Sequence, residues 1–153
     1  MNINTFQPKN RQILDANSRL FKIYEKMNKL IDALNKHEFP ASLATSINID
    51  IAALNNFHGT DKQLKRAITK TYNKTVRTVK KELNLSPPGY YQTMWMSLGM
   101  SAFGVSFGTA FGIAVGNMGL MGIGIPIGML IGIFVGRAMD VKAKKEGRQL
   151  ELA

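Results

Sequence analysis

The sequence predicts an all-α protein with two parts, a basic N-terminal helical bundle followed by a two-helix transmembrane hairpin. Three observations support this prediction. Apolar residues recur every three or four positions in three segments of residues 1–85, as on one face of an α-helix. The 54 residues 83–136 contain no Asp, Glu, Lys, Arg or His. Within them glycine recurs every fourth residue, a spacing that permits close contact between helices in a membrane.

Charge surrounds the apolar block on both sides. The chain of 153 residues has a formal net charge of +10, of which +8 lies in residues 1–82 and +2 in residues 137–153. Because positive segments next to a membrane span stay in the cytoplasm, both termini are expected there, with two crossings between them. The chain has no Cys, which excludes disulfides and thiolate metal sites.

The first helix is expected from Asn10 to Lys36, where apolar positions alternate in steps of three and four. The resulting heptad positions are Ile13, Asn17, Leu20, Tyr24, Met27, Ile31 and Leu34. This pattern fits the buried face of an amphipathic helix, and it also fits a self-associating coiled coil in which Asn17 would fix the register.

Two further helices complete the predicted bundle, residues 1–85. One is expected from Ser42 to Asn56, with Ser42 as its N-cap and Gly59 as its stop. The other is expected from Asp61 to Leu83, capped by Thr60 or Asp61.

The outer face of the third helix is strongly basic. It carries Lys62, Lys65, Arg66, Lys70, Lys74, Arg77, Lys80 and Lys81. Three interpretations are open: a solvated surface, a contact for anionic lipid headgroups, or a nucleic-acid surface. The face lacks aromatic residues between its cations and lacks a recognised motif, which argues against nucleic acid.

A Pro/Gly joint with interfacial aromatic residues, residues 86–92, leads into the apolar block. Aromatic side chains at Tyr90, Tyr91 and Trp95, where the apolar block begins, are typical of the membrane interface. Arg137 and Lys142 are expected at the interface where the second span ends. The hairpin is expected over residues 93–139 and a polar cytoplasmic tail over 140–153.

The hairpin is divided into two spans by a turn at Asn117-Met118-Gly119. The first span, Thr93 to Gly116, would be about 36 Å long, and the second runs from Leu120 to Met139. One continuous helix over 93–138 would be about 69 Å, more than twice the hydrocarbon thickness. A β-barrel strand is the other alternative, because residues 122–128 alternate with period two, but Pro126 is unfavourable in a strand.

Two glycine series are expected to form the helix contacts. They are Gly104, Gly108, Gly112 and Gly116 in the first span, and Gly124, Gly128, Gly132 and Gly136 in the second. Ideal helical projection places Ser97 and Ser101 on the same strip as the first series. The spacing leaves open whether the two series pack against each other within one chain or between subunits.

The apolar block resembles the glycine-zipper class of membrane proteins. The residues that carry the resemblance are Met94–Met100, the two glycine series, and Lys142–Leu150, which together are similar to small bacterial glycine-zipper proteins. The resemblance covers residues 93–150 and implies homo-oligomers in a bacterial cytoplasmic membrane. Such segments occur in channels and in membrane-permeabilising toxins.

These observations favour a homo-oligomeric pore or membrane-permeabilising effector, with Ser97, Ser101 and Thr109 as candidate pore-lining residues. Its partners would be further copies of itself and anionic membrane lipids. The alternative is a non-conducting membrane scaffold whose basic domain recruits a partner or anionic lipid. No catalytic, metal-binding or cofactor-binding residues are expected, because His37 and His58 have no nearby carboxylate cluster or nucleophile motif.

Overall fold

The computed structural model describes residues 2–7, 19–117, 119 and 121–152, and the regular elements among them are helices. Three belong to the N-terminal part: α1 (Arg19–Asn35), α2 (Ala41–Asn55) and α3 (Asp61–Leu83). The other two are the first apolar helix, Tyr90–Ala114, and the second apolar helix, Met121–Lys145. The all-α prediction is confirmed.

The chain divides into two compact units. The helical unit comprises Met1–Pro87 with Leu150–Ala153, and the hairpin unit comprises Pro88–Gln149. The division after Pro87 lies close to the expected boundary after residue 85. Residues 140–149 belong to the hairpin unit, whereas the sequence placed them in a separate tail. The reason is that the second apolar helix continues past Met139 as far as Lys145.

In the helical unit, α1 and α2 each pack against α3. The heptad positions Leu20, Met27, Ile31 and Leu34 of α1 are buried, so the face that could have formed a coiled coil is used inside the chain. Ile13 and Asn17 lie outside the described residues. Leu30 and Ala33 of α1 are buried as well, and α2 and α3 contribute Leu43, Ala44, Ile47, Ile51, Leu54, Leu64, Ile68, Tyr72, Val76 and Val79.

The starts of α2 and α3 differ in how well the sequence predicts them. Thr60 caps α3 as expected, because its hydroxyl accepts from the Gln63 N–H while the Gln63 side chain accepts from the Thr60 N–H at 2.9 Å. Ser42 is not the N-cap of α2, since that position is held by Pro40, whose carbonyl accepts from the Leu43 and Ala44 N–H groups at 3.1 and 3.3 Å.

Two extended pieces complete the helical unit. The segment Asn2–Gln7 lies along α1 and α2 and buries Ile3 and Phe6. Near the other end of the chain, Leu150 is buried and its N–H donates to the carbonyl of Ser86 at 2.9 Å.

Left-handed glycines close both apolar helices. Gly116 and Gly147 each have a φ of +66°, and the N–H of the residue after each reaches back five residues, from Asn117 to Gly112 at 3.0 Å and from Arg148 to Ala143 at 2.8 Å. This is the Schellman ending, in which glycine is favoured because other residues are strained at positive φ.

Candidate membrane-spanning hairpin and basic surface

Two helices are long and apolar enough to cross a membrane: Tyr90–Ala114 with 25 residues, and Gly122–Lys145 with 24. At 1.5 Å per residue, each exceeds the roughly 30 Å of a bilayer's hydrocarbon core. The first begins three residues before the predicted Thr93, and the second continues six residues past the predicted Met139.

The two glycine series meet each other within one chain. A Cβ added at Gly124 would lie 2.5 Å from the Cα of Gly108, and one at Gly128 would lie 2.7 Å from the Cα of Gly104. On the same face, further from the turn between the helices, a Cβ at Gly132 would lie 2.9 Å from the Cα of Met96. Because each of these neighbours is backbone, no side chain could move aside to make room, and the close approach of the helices requires glycine.

A π-helical turn, Gly99–Gly104, interrupts the first apolar helix and sets this alignment. Gly99 and Gly104 both face the second apolar helix, near Gly128, although they are five residues apart. The wider π turn carries one additional residue, so Gly99 joins the contact face in phase with Gly104 and Gly108. An uninterrupted α-helix, as expected from the sequence, would not place Gly99 on this face.

The same change of phase removes two serines from the glycine face. Ser97 and Ser101 are exposed, and their hydroxyls donate to carbonyls of their own helix, Thr93 at 3.1 Å and Ser97 at 3.0 Å. The placement of Ser97 and Ser101 on the glycine strip was wrong for this reason. Thr109 is half-buried, and its hydroxyl donates to the carbonyl of Val105 at 2.8 Å.

The last member of the first glycine series has a different role from the one expected. Gly112 is buried like Gly104 and Gly108, but Gly116 is exposed and nothing lies within 4 Å of a Cβ built there. Its positive φ shows that it ends the helix. In the second series, Gly136 does pack, since its Cβ would lie 2.8 Å from the backbone nitrogen of Gln92.

Asp140 joins the two helices at the end away from the turn, a role that was not expected from the sequence. It is 8% exposed, and its two carboxylate oxygens accept from the N–H groups of Tyr91 at 3.1 Å and Gln92 at 3.0 Å. These amides belong to the first turn of the first apolar helix, whose N-cap Gly89 has no side chain to satisfy them. Asp140 lies four residues after Gly136 and therefore continues the packed face of the second helix. This spacing is the feature of the sequence from which its position could have been predicted.

The outer surface of the hairpin is apolar. Phe111 is 60% exposed and Phe134 is 74% exposed. A shallow groove on this surface is formed by Phe107, Phe111, Ile123, Gly124, Ile127 and Ile131. In water such a surface would be unfavourable, whereas lipid tails or another apolar helix would cover it without cost.

The residues expected at the membrane interface lie at the open end of the hairpin unit. Tyr90 and Tyr91 contact edge to face, with ring centroids 5.3 Å apart, and Arg137 and Lys142 are exposed. Trp95 is partly buried, and its indole N–H has no partner in the described part of the chain. Beyond the second helix, the hydrogen bond from the Arg148 guanidinium lowers the pKa of Glu146.

The basic face of α3 lines an open groove. Six of its cations, Lys62, Lys65, Arg66, Lys70, Lys74 and Arg77, border the groove together with Asp50 of α2. Lys74 pairs with Asp50 at 2.7 Å, while Lys80 turns toward the helix end and donates to the Asn84 side chain at 2.7 Å. Lys81 is exposed. The groove therefore carries a large excess of positive charge.

Comparisons with known proteins give no further guidance on what the hairpin or the basic groove does. No family model, no curated protein and no solved structure matches the chain. The glycine-zipper resemblance stays a prediction. Among the described residues, no group of three His, Asp or Glu side chains is arranged to hold a metal ion.

Substituting single glycines of the second apolar helix tests the packing. We expect Gly128→Ala to lower the free energy of hairpin unfolding by about 1–3 kcal/mol, because its Cβ would overpack the backbone of the first helix. Gly122 is the matched control, since nothing lies within 4 Å of its Cβ, and Gly122→Ala should be neutral or stabilising by up to about 1 kcal/mol. The fluorescence of Trp95, the only tryptophan, reports unfolding in mixed detergent micelles. Equal effects of the two changes would contradict the packing.

Removing the carboxylate of Asp140 tests its cap on the first apolar helix. We expect Asp140→Ala to destabilise the hairpin by about 1–3 kcal/mol, because a buried and a partly buried N–H group lose their acceptor. Lys142→Ala, an exposed change two residues away, should alter stability by less than about 0.5 kcal/mol. The same fluorescence titration measures both variants, and a stability of Asp140→Ala equal to wild type would exclude the cap as a stabilising contact.

Proposed function

We propose that the protein is a membrane-anchored scaffold, in which the hairpin holds the chain in the bilayer and the helical unit recruits anionic lipid and partners. The observation that supports this proposal is that the glycine faces of the two apolar helices pack against each other within one chain. A hairpin whose backbones already pack against each other needs no second subunit to satisfy them. The exposed Phe and Ile side chains on its outside then face lipid tails.

The basic groove of α3 is the proposed contact for the membrane surface. Asp50 is the acidic residue that lines this groove, and it pairs with Lys74. The charge of the other five cations therefore exceeds what the groove's own carboxylate can neutralise. Each Lys or Arg near an anionic bilayer contributes about 1 kcal/mol of attraction. Six residues, 84–89, connect α3 to the first apolar helix.

The positive segments on both sides of the hairpin favour the cytoplasmic side of the membrane for both termini. The resemblance to small bacterial glycine-zipper proteins favours a bacterial cytoplasmic membrane. The anionic lipids would then be those of the inner leaflet, on the same side as the basic groove.

Charge reversal on α3 tests the lipid contact. We expect Arg66→Glu/Lys70→Glu/Arg77→Glu, in full-length protein held in zwitterionic nanodiscs, to lower partitioning onto phosphatidylglycerol vesicles at least about 100-fold. The control Lys22→Glu/Lys29→Glu/Lys36→Glu changes two exposed residues of α1 and the exposed residue that follows it, by the same total charge, and should reduce partitioning less than about fivefold. Equal losses in both variants would show a response to net charge alone and would overturn the assignment to α3.

A homo-oligomeric pore is the second candidate, favoured by the apolar groove on the outer surface. A neighbouring hairpin could seat there against Phe107 and Ile127, and the exposed hydroxyls of Ser97 and Ser101 would then be available to a lumen. In this arrangement the subunits associate through Phe and Ile, and the glycines stay within each hairpin.

Conductance of the purified full-length protein in a planar lipid bilayer separates the two candidates. For a scaffold we expect a silent bilayer with the protein demonstrably inserted, because the hairpin leaves no polar path through its packed glycine face. Discrete, reproducible current steps that disappear in Phe107→Ala/Ile127→Ala would establish the pore instead. The control Val141→Ala removes an exposed apolar side chain outside the groove and should leave any current unchanged.

A further inference from the structure

Four asparagine side chains hold the extended segment Asn2–Gln7 by its backbone. On α1, Asn35 accepts from the Ile3 N–H at 2.8 Å and donates to the Ile3 carbonyl at 3.1 Å. Asn28 makes the same pair of bonds with Phe6, at 3.1 and 3.3 Å.

The opposite edge of the segment is held by α2. Asn48 accepts from the Asn4 N–H at 2.7 Å and donates to the Asn2 carbonyl at 3.3 Å. Asn55 accepts from the Gln7 N–H at 2.8 Å. The two helices therefore form the walls of a groove, which we name the asparagine groove after Asn28, Asn35, Asn48 and Asn55.

The spacing of the asparagines matches the repeat of an extended chain. On each helix the two asparagines are seven residues apart, which is two turns or about 10.5 Å. Three residues of extended chain also span about 10 Å, the distance from Ile3 to Phe6 along α1 and from Asn4 to Gln7 along α2. Along each helix, the two asparagines therefore accept from backbone N–H groups that lie three residues apart in the segment. The match in spacing depends on backbone geometry alone.

Side-chain recognition is confined to two positions of the segment. Ile3 is 4% exposed and Phe6 is fully buried, with the Phe6 ring 5.3 Å from that of Tyr24. Asn2, Asn4, Thr5 and Gln7 are exposed. A peptide would therefore need two apolar residues three positions apart and little else, since its backbone supplies the remaining contacts.

We propose that the asparagine groove is a docking site for an extended peptide of a partner protein, with apolar residues at positions i and i+3, and that Asn2–Gln7 occupies it in cis. Eleven residues, 8–18, connect the segment to α1, so the internal segment acts at a high effective concentration. A partner peptide must therefore displace it, which makes the segment an autoinhibitory occupant. This proposal concerns the helical unit and holds whether or not the hairpin anchors the chain.

Deleting the internal segment tests the proposal with a defined probe. The probe is a fluorescent synthetic peptide with the sequence of residues 2–7, and the protein is the full chain in detergent micelles with or without residues 2–7. By fluorescence anisotropy, we expect the deletion variant to bind at least tenfold more tightly than the intact chain, because the intact groove is filled. A probe carrying Phe6→Asp should not bind, since a carboxylate would enter the apolar pocket.

Adjacent asparagines of α2 provide a matched control. In the deletion variant, Asn55→Ala should weaken probe binding about fivefold to tenfold, because Asn55 holds the Gln7 N–H. Asn56→Ala should leave binding unchanged, because the Asn56 side chain bonds to Ala52 of its own helix at 3.1 Å. A folded deletion variant that does not bind the probe, or that binds equally with Asn55→Ala and Asn56→Ala, would overturn the proposal.

A second variant covers the case in which the deletion prevents folding. A protease site placed within residues 8–18 allows the internal segment to be cut free after the full chain has folded. We then expect the cut segment to exchange with the fluorescent probe while the helical circular dichroism is retained. Failure to exchange, or loss of helix when the segment leaves, would make Asn2–Gln7 a permanent part of the core and would refute a docking groove.

Discussion

The contact between the backbones of the two apolar helices constrains the rest of the hairpin unit. Glycine costs about 0.5–1 kcal/mol of helix propensity at each position, and lipid offers little hydrophobic gain for helix association. The compensation comes from van der Waals contacts between closely packed atoms, which weaken steeply as the helices separate. Because Gly104, Gly108, Gly124 and Gly128 meet backbone to backbone, even one methyl group would separate the helices.

This constraint explains two features that look unrelated in the sequence. The first apolar helix must present glycines opposite a partner series that repeats strictly every four residues, and the π turn at Gly99–Gly104 restores that register across a five-residue step. Once the register is fixed, the residue four positions beyond Gly136 is held against the start of the first helix. That residue is Asp140, and its carboxylate accepts from two N–H groups in the first turn of that helix. Packing thus positions the cap, and the cap in turn fixes the helix end.

The sequence was sufficient wherever the responsible signal is local. The period of the apolar residues located α1 to α3, Thr60 and Gln63 marked the start of α3, and the uncharged run with its glycine spacing located both apolar helices. It was not sufficient where a partner is remote in the chain. The π turn follows from the register of the second helix, and the partners of Asp140 lie 48 and 49 residues away. Likewise, the groove asparagines bond a segment 22 to 48 residues distant.

The two units solve the same problem with different side chains, and the difference follows from what each backbone offers. The first turn of a helix presents only N–H donors, and the carboxylate of Asp140 offers only acceptors, assisted by the positive end of the helix dipole. An extended segment presents both N–H and C=O groups, and the amides of Asn28 and Asn35 can donate and accept together. A carboxylate is thus matched to one fixed helix end. Two side-chain amides, by contrast, can bond the N–H and C=O groups of any extended backbone that lies between the helices. A site that exchanges one peptide for another requires this property.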